Sequence, residues 1–210
     1  HGEPDRNLEK GRAMKALVNF LFETEMLRKT PRSGFQFLGS GSESVAEHVL
    51  ATLFIGYALC KLDPEADEER VLKLCLFHDL LEARTGDMNY VNKKYVVCDE
   101  ERALAELTAP LPFGPEIRSV LKEFKEKKTR ESRIAHDADQ LALIFRLKEY
   151  GDLGNTYSGE WIDFARKRLV TAPGLKMVET ILETDWTEWW FQDKSDWWVN
   201  GGNETGNGET

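Results

Sequence analysis

Four side chains in this sequence, His48, His78, Asp79 and Asp139, offer two imidazoles and two carboxylates. That mixed nitrogen and oxygen donor set suits a borderline-hard divalent metal. His78 and Asp79 form an uninterrupted pair inside LCLFHDLLEARTGD, after a mostly apolar run and just before two leucines. Groups of this kind are costly to bury unless a charge or a hydrogen bond compensates them. No single member decides the matter. A lone buried histidine is more often a satisfied core residue than a ligand, and a His-Asp dipeptide can be an ordinary hydrogen-bonded pair. Asp137 also competes with Asp139, because residues two apart on a helix face different directions. Apolar Ala138, Leu141 and Ala142 around Asp139 favour it, while Asp137, beside His136, could equally cap a helix.

The elements that must position these groups read as helices throughout. Leu17, Phe20, Leu21 and Leu27 recur at helical spacing, predicting a first helix over 8–27. TPRSGFQFLGSGS then breaks the pattern with proline and glycines, giving a loop of roughly a dozen residues, a length that is often functional. Ser44-Val-Ala-Glu47 matches a capping box, so a second helix starts near Ser44 and runs to about Lys61. It carries His48 one turn in. A third helix over 67–83 carries His78 and Asp79, with Glu82 on the same face at i+4 and i+3. Further helices are predicted over 95–108, 115–125, 130–150, 159–169 and 174–190, with Asp139 early in the long 130–150 segment. Antiparallel packing of such helices can bring all four side chains to one point, as bundles do when they build metal sites. The fold class is therefore all-α, a helical bundle with its site between packed helices. Trp186, Trp189 and Trp190 recur at three and four, as one helix stripe that packs on the domain or serves a subunit interface.

Composition narrows the function. The formal charge is −9, which disfavours sequence-independent binding to long nucleic acid. A small anionic substrate stays compatible, because a metal and local cations can reverse the field. Arg28, Lys29, Arg32, Lys93 and Lys94 are the clusters that could serve. No run approaches the ~20 apolar residues that span a bilayer, so no membrane partner is expected. Cys60, Cys75 and Cys98 are odd in number and scattered, fitting reduced thiols in a cytoplasmic compartment. Residues 1–7 read as a flexible N-terminus or tag remnant, which leaves His1 without a role. Residues 8–198 read as one domain, and 199–210 as a disordered polar tail.

The ordered set of His48, His78-Asp79 and Asp139 resembles the HD-domain metal-dependent phosphohydrolases. Within them the chain is similar to the compact branch of 5'-deoxynucleotidases and their archaeal and eukaryotic relatives. LRKTPRSGF (27–35), ESVAEH (43–48) and HDLLEARTGD (78–87) carry the match, which continues through DEERAL (99–104) and HDADQL (136–141) and covers roughly 12–185. The resemblance implies an HD-type bundle in which His48, His78, Asp79 and Asp139 hold one divalent ion, Mn²⁺, Co²⁺, Fe²⁺, Ni²⁺ or Zn²⁺. It implies that Glu82 handles the attacking water and that Asp79 also aids proton transfer. It assigns the substrate side to Arg32, Phe35, Asp87 and Lys94. PRSGF departs from the bacterial deoxynucleotidases, in which tryptophan directly follows the arginine, so the base and sugar preference stays open.

The expected reaction is hydrolysis of a (deoxy)nucleoside 5'-monophosphate, and the family's habit implies a homodimer. Two alternatives remain: phosphodiester or pyrophosphate cleavage of a signalling nucleotide, and a non-catalytic nucleotide-binding module. Retention of Glu82 beside all four ligands argues against the last.

Overall fold

The computed structural model describes residues 6–192, 195 and 197–201. The expectations for 1–5 and 202–210 lie outside these. The described chain is all α-helical apart from short 3-10 turns and one isolated antiparallel bridge, Pro31 to Ser44. In order, the helices are α1 (Arg6–Thr24), α2 (Val45–Leu62), α3 (Glu68–Phe77), α4 (Glu82–Thr85), α5 (Glu100–Thr108) and α6 (Gly114–Glu126). They continue with α7 (Arg130–Asp152), α8 (Ser158–Arg166), α9 (Ala172–Glu183), α10 (Glu188–Phe191) and α11 (Trp197–Asn200). α1 already includes Arg6 and Asn7, so the first turn starts before the predicted boundary.

α2, α3 and α7 pack on one another and form the centre. The cap predicted for α2 is present in both directions. Ser44 Oγ accepts from Glu47 N at 3.2 Å, and Glu47 Oε2 accepts from Ser44 N at 2.6 Å. The α2 face Val45, His48, Val49, Thr52, Ile55 and Leu59 is buried against these neighbours. α2 is 18 residues long with mean hydropathy 1.4, long and apolar enough to cross a bilayer by length and composition. The sequence reading saw no such run. Its packing against α3 and α7, and the histidine on its buried face, make it a core helix of this domain. Gly56 lets α2 approach α3, because a Cβ there would meet Cys75 Sγ at 2.7 Å.

One core joins α2, α3, α7, α8 and α9 through fully buried side chains such as Leu59, Leu74, Leu141 and Val178. Each such apolar side chain contributes on the order of 1.5–3 kcal/mol by leaving water. A second cluster, with Leu27, Val45, Leu80 and Ile117, seats α5 and α6 against the start of α2.

Three further boundaries moved. α3 ends at Phe77, so His78 and Asp79 occupy a turn with i to i−3 bonds (Leu80 N to Phe77 O, 2.9 Å; Glu82 N to Asp79 O, 3.0 Å). His78 and Glu82 therefore do not share a continuous helix face. α5 starts at Glu100 instead of Tyr95, because Asp99 caps it by accepting from Arg102 N. α9 stops at Glu183, and Trp186 and Trp190 lie beyond it. These two interlock edge to face at 6.0 Å, while Trp189 is exposed, so the predicted single stripe is broken.

Candidate metal centre and its cavity

Three elements deliver the ligands. His48 comes from the first turns of α2, His78 and Asp79 from the turn after α3, and Asp139 from α7. One ligand atom each from His48, His78 and Asp139 lies within 4.8 Å of the others, a spacing that can hold a metal ion. His48 Nε2 stands 2.9 Å from Asp139 Oδ1. Asp79 Oδ2 lies beside both imidazoles, 3.8 Å from His48 Nε2 and 3.2 Å from His78 Nε2. Asp79 is outside the tightest trio but borders the same point.

The hydrogen bonding tests whether a cation fits. His78 Nδ1 lies 2.8 Å from the Cys75 carbonyl, which can only accept, so Nδ1 carries the proton. In the neutral ring Nε2 then presents a lone pair, as a metal-ligating histidine does when its other nitrogen is bonded in this way. That Nε2 is buried and has no hydrogen-bond partner. It faces carboxylate oxygens of Asp79 and Asp139 at 3.2 and 3.9 Å. A lone pair opposite two carboxylates needs a positive charge between them, a proton or a metal ion. The residues fit a divalent ion.

The electrostatics agree. Burial works against a charged His78, yet the Asp79 and Asp139 carboxylates outweigh it and raise the imidazole to about 9. Burial likewise opposes ionisation of Asp79 and Asp139, and the neighbouring imidazoles overcome it, holding both below the usual carboxylate range. Glu82 behaves differently. Burial, then the charges of Asp79 and Asp87, push it up to about 8. Its Oε2 is buried without a partner.

Arg32 answers the acidic crowd. Its Nη1 donates to Asp79 Oδ2 at 3.3 Å, and its Nε lies 3.9 Å from Glu43 Oε2. Burial disfavours the guanidinium cation, but Asp79, Asp139, Asp87 and Glu82 together raise its pKa above the ordinary value. The predicted loop places it by pairing back on itself, with Arg32 N to Glu43 O at 2.8 Å and Val45 N to Thr30 O at 2.9 Å. Asp87 clamps the same loop, accepting from Ser33 N at 2.6 Å, after Gly86 turns the chain at φ 72°.

A cavity of about 360 Å³ opens beside the centre, lined by Arg32, Phe35, Asp79, Glu82, Asp87 and Asp139, with Phe37, Tyr90 and Trp161 on its apolar side. That size lies in the range of small-molecule sites. Phe35 is buried and forms inner wall, edge-on to Tyr150 at 5.7 Å. The loop lysine on the wall is Lys93, and Lys94 does not line it. Both sit on one 3-10 turn, Asn92–Lys94.

Asp137 is separate from the centre. It is fully buried and accepts from Val170 N, Thr171 N and Thr171 Oγ at 3.0, 2.8 and 2.5 Å, pinning the α8–α9 turn.

The sequence reading missed Glu43, Gln140, Trp161 and Arg168. Glu43 is buried and pairs with Arg32 and Arg146. Its only signal was an acid just ahead of the capping box. Gln140 donates to Asp139 Oδ2 and accepts from Arg168, both at 2.9 Å. Its only signal was that it directly follows the candidate ligand.

Buried imidazoles and half-buried carboxylates from three packed helical segments, beside a cavity with an arginine, define an HD-domain metal-dependent phosphohydrolase. The HD-domain family model matches residues 24–175, and the chain belongs to that family. It is 28% identical over 151 residues to the 5'-deoxynucleotidase HDDC2 of Bos taurus, covering 69% of this chain and 73% of that protein. With the 5'-deoxynucleotidase hdd1 of Schizosaccharomyces pombe it shares 30% over 145 residues, covering 64% and 72%. Among solved structures, a Pyrococcus horikoshii protein superposes with TM-score 0.66 at 25% identity, over 79% of this chain and 98% of that one. A protein of Magnetospirillum magnetotacticum, titled a predicted metal-dependent phosphohydrolase, shares the fold with TM-score 0.66 at 21% identity, over 82% and 94%.

Proposed function

We propose that this phosphohydrolase releases phosphate from (deoxy)nucleoside 5'-monophosphates, with His48, His78, Asp79 and Asp139 holding one divalent ion. The observation that carries this is the ligand cluster opening directly onto a cavity that pairs Arg32 with aromatic walls. The likeness to the two 5'-deoxynucleotidases supports the substrate class. The donor set suits Mn²⁺, Co²⁺, Fe²⁺, Ni²⁺ or Zn²⁺.

A divalent ion bound there supplies positive charge for a phosphoryl oxygen and acidifies water at neutral pH. Arg32 offers a planar donor fork to the phosphate from the cavity wall. Glu82, buried beside Asp79, takes a proton from the attacking water. Its elevated pKa puts its proton affinity near the operating pH, where general bases are most effective. Asp79 faces the cavity and, itself ionised, can relay the proton taken up by Glu82 to the departing sugar oxygen, which leaves as the alcohol. Phe35, Trp161 and Tyr90 give a base an apolar surface, and Asp87 holds the Arg32 loop in place while lining the cavity. Lys93 supplies the nearby cation that had been expected of Lys94.

Three free cysteines support a reducing, cytoplasmic setting. Exposed Leu50, Phe54 and Tyr57 recur at helical spacing on α2, and that apolar stripe supports a homodimer. The deciding experiment screens common ribo- and deoxyribonucleoside monophosphates against the five metals and measures phosphate release. Cleavage of a cyclic dinucleotide or a pyrophosphate, with every monophosphate left intact, would replace this reading.

A further inference from the structure

A second cavity, of about 370 Å³, lies on the far side of Gln140 and is lined by Lys127, Arg133, His136, Gln140, Arg168 and Val170. The chain carries 37 acidic residues against 28 lysines and arginines, yet no carboxylate lines this cavity. Among the described residues, Lys127, Arg133 and Arg168 have no ion pair, whereas most other arginines near the centre do. Three cations facing one concavity repel one another, so the fold gains nothing from gathering them there.

The backbone adds a separate observation. Lys127 ends α6 in the left-handed conformation, φ 54° and ψ 30°, a position that favours glycine. Arg133 Nε donates to its carbonyl at 3.4 Å, bracing that turn. His136 is fixed as a wall, with Nε2 donating to Phe124 O at 2.8 Å and its ring stacked on Phe124 at 4.0 Å.

This cavity also touches the catalytic one. Gln140 and Arg168 line both. Arg168 Nη1 donates to Gln140 Oε1 and Gln140 Nε2 donates to Asp139 Oδ2, each at 2.9 Å, so an unbroken hydrogen-bonded chain joins the cationic cavity to a metal-ligand candidate.

We propose that this cavity binds a small phosphate-type polyanion through Lys127, Arg133 and Arg168, and that its occupancy acts on Asp139 through Arg168 and Gln140. An anion that draws Arg168 towards it loosens the grip on Gln140 and lets the amide re-aim the Asp139 carboxylate. The ligand is either inorganic, such as pyrophosphate, or the polyphosphate tail of a nucleotide. The inference concerns a site that adjoins the monophosphate pocket through Gln140 and Arg168, and it stands whichever substrate that pocket takes.

The test compares binding of pyrophosphate and of ATP to the metal-loaded protein and to a Lys127→Gly, Arg133→Gln double variant, by calorimetry. Glycine keeps the left-handed turn, and neither substituted residue lines the catalytic cavity, so basal turnover should be unchanged. The expected result is a saturable phase in the parent that weakens at least tenfold in the variant. Equal affinity for both probes identifies phosphate as the determinant, and much tighter ATP binding identifies a nucleotide. The same affinity in parent and variant, or only non-saturating uptake, overturns the site. The bound anion should also change the rate of phosphate release in the parent and not in the variant. Binding without any change in rate overturns the coupling to Asp139.

Discussion

Replacing Asp137 by alanine should destabilise the domain and leave the metal centre intact, whereas Asp139→Ala should do the reverse. The two carboxylates are neighbours in sequence, but Asp137 is spent on the α8–α9 turn. It accepts from Thr171 N at 2.8 Å, Thr171 Oγ at 2.5 Å and Val170 N at 3.0 Å. A hydrogen bond to a charged group contributes roughly 1.5–3 kcal/mol net. Val170 is exposed, so its N–H regains water when the carboxylate is removed, and it adds little. The two Thr171 bonds then set the loss at about 3–6 kcal/mol, a large share of a typical ~5–15 kcal/mol stability. With a urea slope of roughly 2 kcal/mol per molar, the midpoint should fall by about 2 M. Asp137→Asn keeps one acceptor and should lose less. The assay is urea denaturation with metal content measured on the same preparations. An Asp137→Ala protein within about 1 kcal/mol of the parent, or one that loses metal as fully as Asp139→Ala, would refute the assignment.

Glu82→Gln should retain metal but lose about 10²–10⁴-fold in turnover; parallel loss of metal would remove Glu82 from its role. The same substitution tests the burial of this carboxyl in chelated protein. Burial and the Asp79 and Asp87 charges raise it from 4.5 to about 8, so across that interval the unfolded chain releases a proton that the folded chain keeps. Stability therefore falls as pH rises through the window, on the order of 3 kcal/mol by pH 7, and urea midpoints of the variant should lack that component of the slope. Metal uptake needs a neutral His78, which Asp79 and Asp139 hold protonated up to about 9 against its burial. Metal affinity measured by competition titration should thus rise about tenfold per pH unit from neutrality towards that value, and a flat profile would exclude His78 as a ligand. Arg32→Ala should impair substrate use across a full titration, and unchanged kinetics would place Arg32 outside the pocket.

The parts of this fold that were legible in the sequence are those set by local chemistry. The Ser44–Glu47 box fixed the start of α2 and hence the height of His48, because both reciprocal bonds lie within four residues. Thr129 and Asp67 cap α7 and α3 in the same local way. The break after Phe77 was not legible. LCLFHDLLEA contains no glycine or proline, and its helical spacing runs straight through. Helix is interrupted there as Leu80 inserts fully buried into the second core, while His78 Nδ1 donates a hydrogen bond to Cys75 O three residues back. The choice between Asp137 and Asp139 was equally undetermined, since it depends on Thr171, 34 residues away. Gln140 and Arg168 show the same limit, as their roles exist only once α8 lies against α7.

The centre is arranged against its own stability. Asp79, Asp139, Glu82 and Asp87 converge around Arg32, and that cation alone leaves Glu82 holding its proton well above the usual carboxylate range. Moving such carboxylates apart would relieve the folded chain, yet it would also dissolve the negative pocket that selects a divalent cation. An added positive charge near Asp79 favours the ionised form of Glu82, the form that can accept a proton from water. Metal binding and base activation are thus linked through one set of charges: neutralising Asp79 should weaken metal binding, and turnover with it, even though it removes one of the charges that keep the proton on Glu82. An Asp79→Asn protein with normal metal affinity and normal turnover would show that these charges act independently.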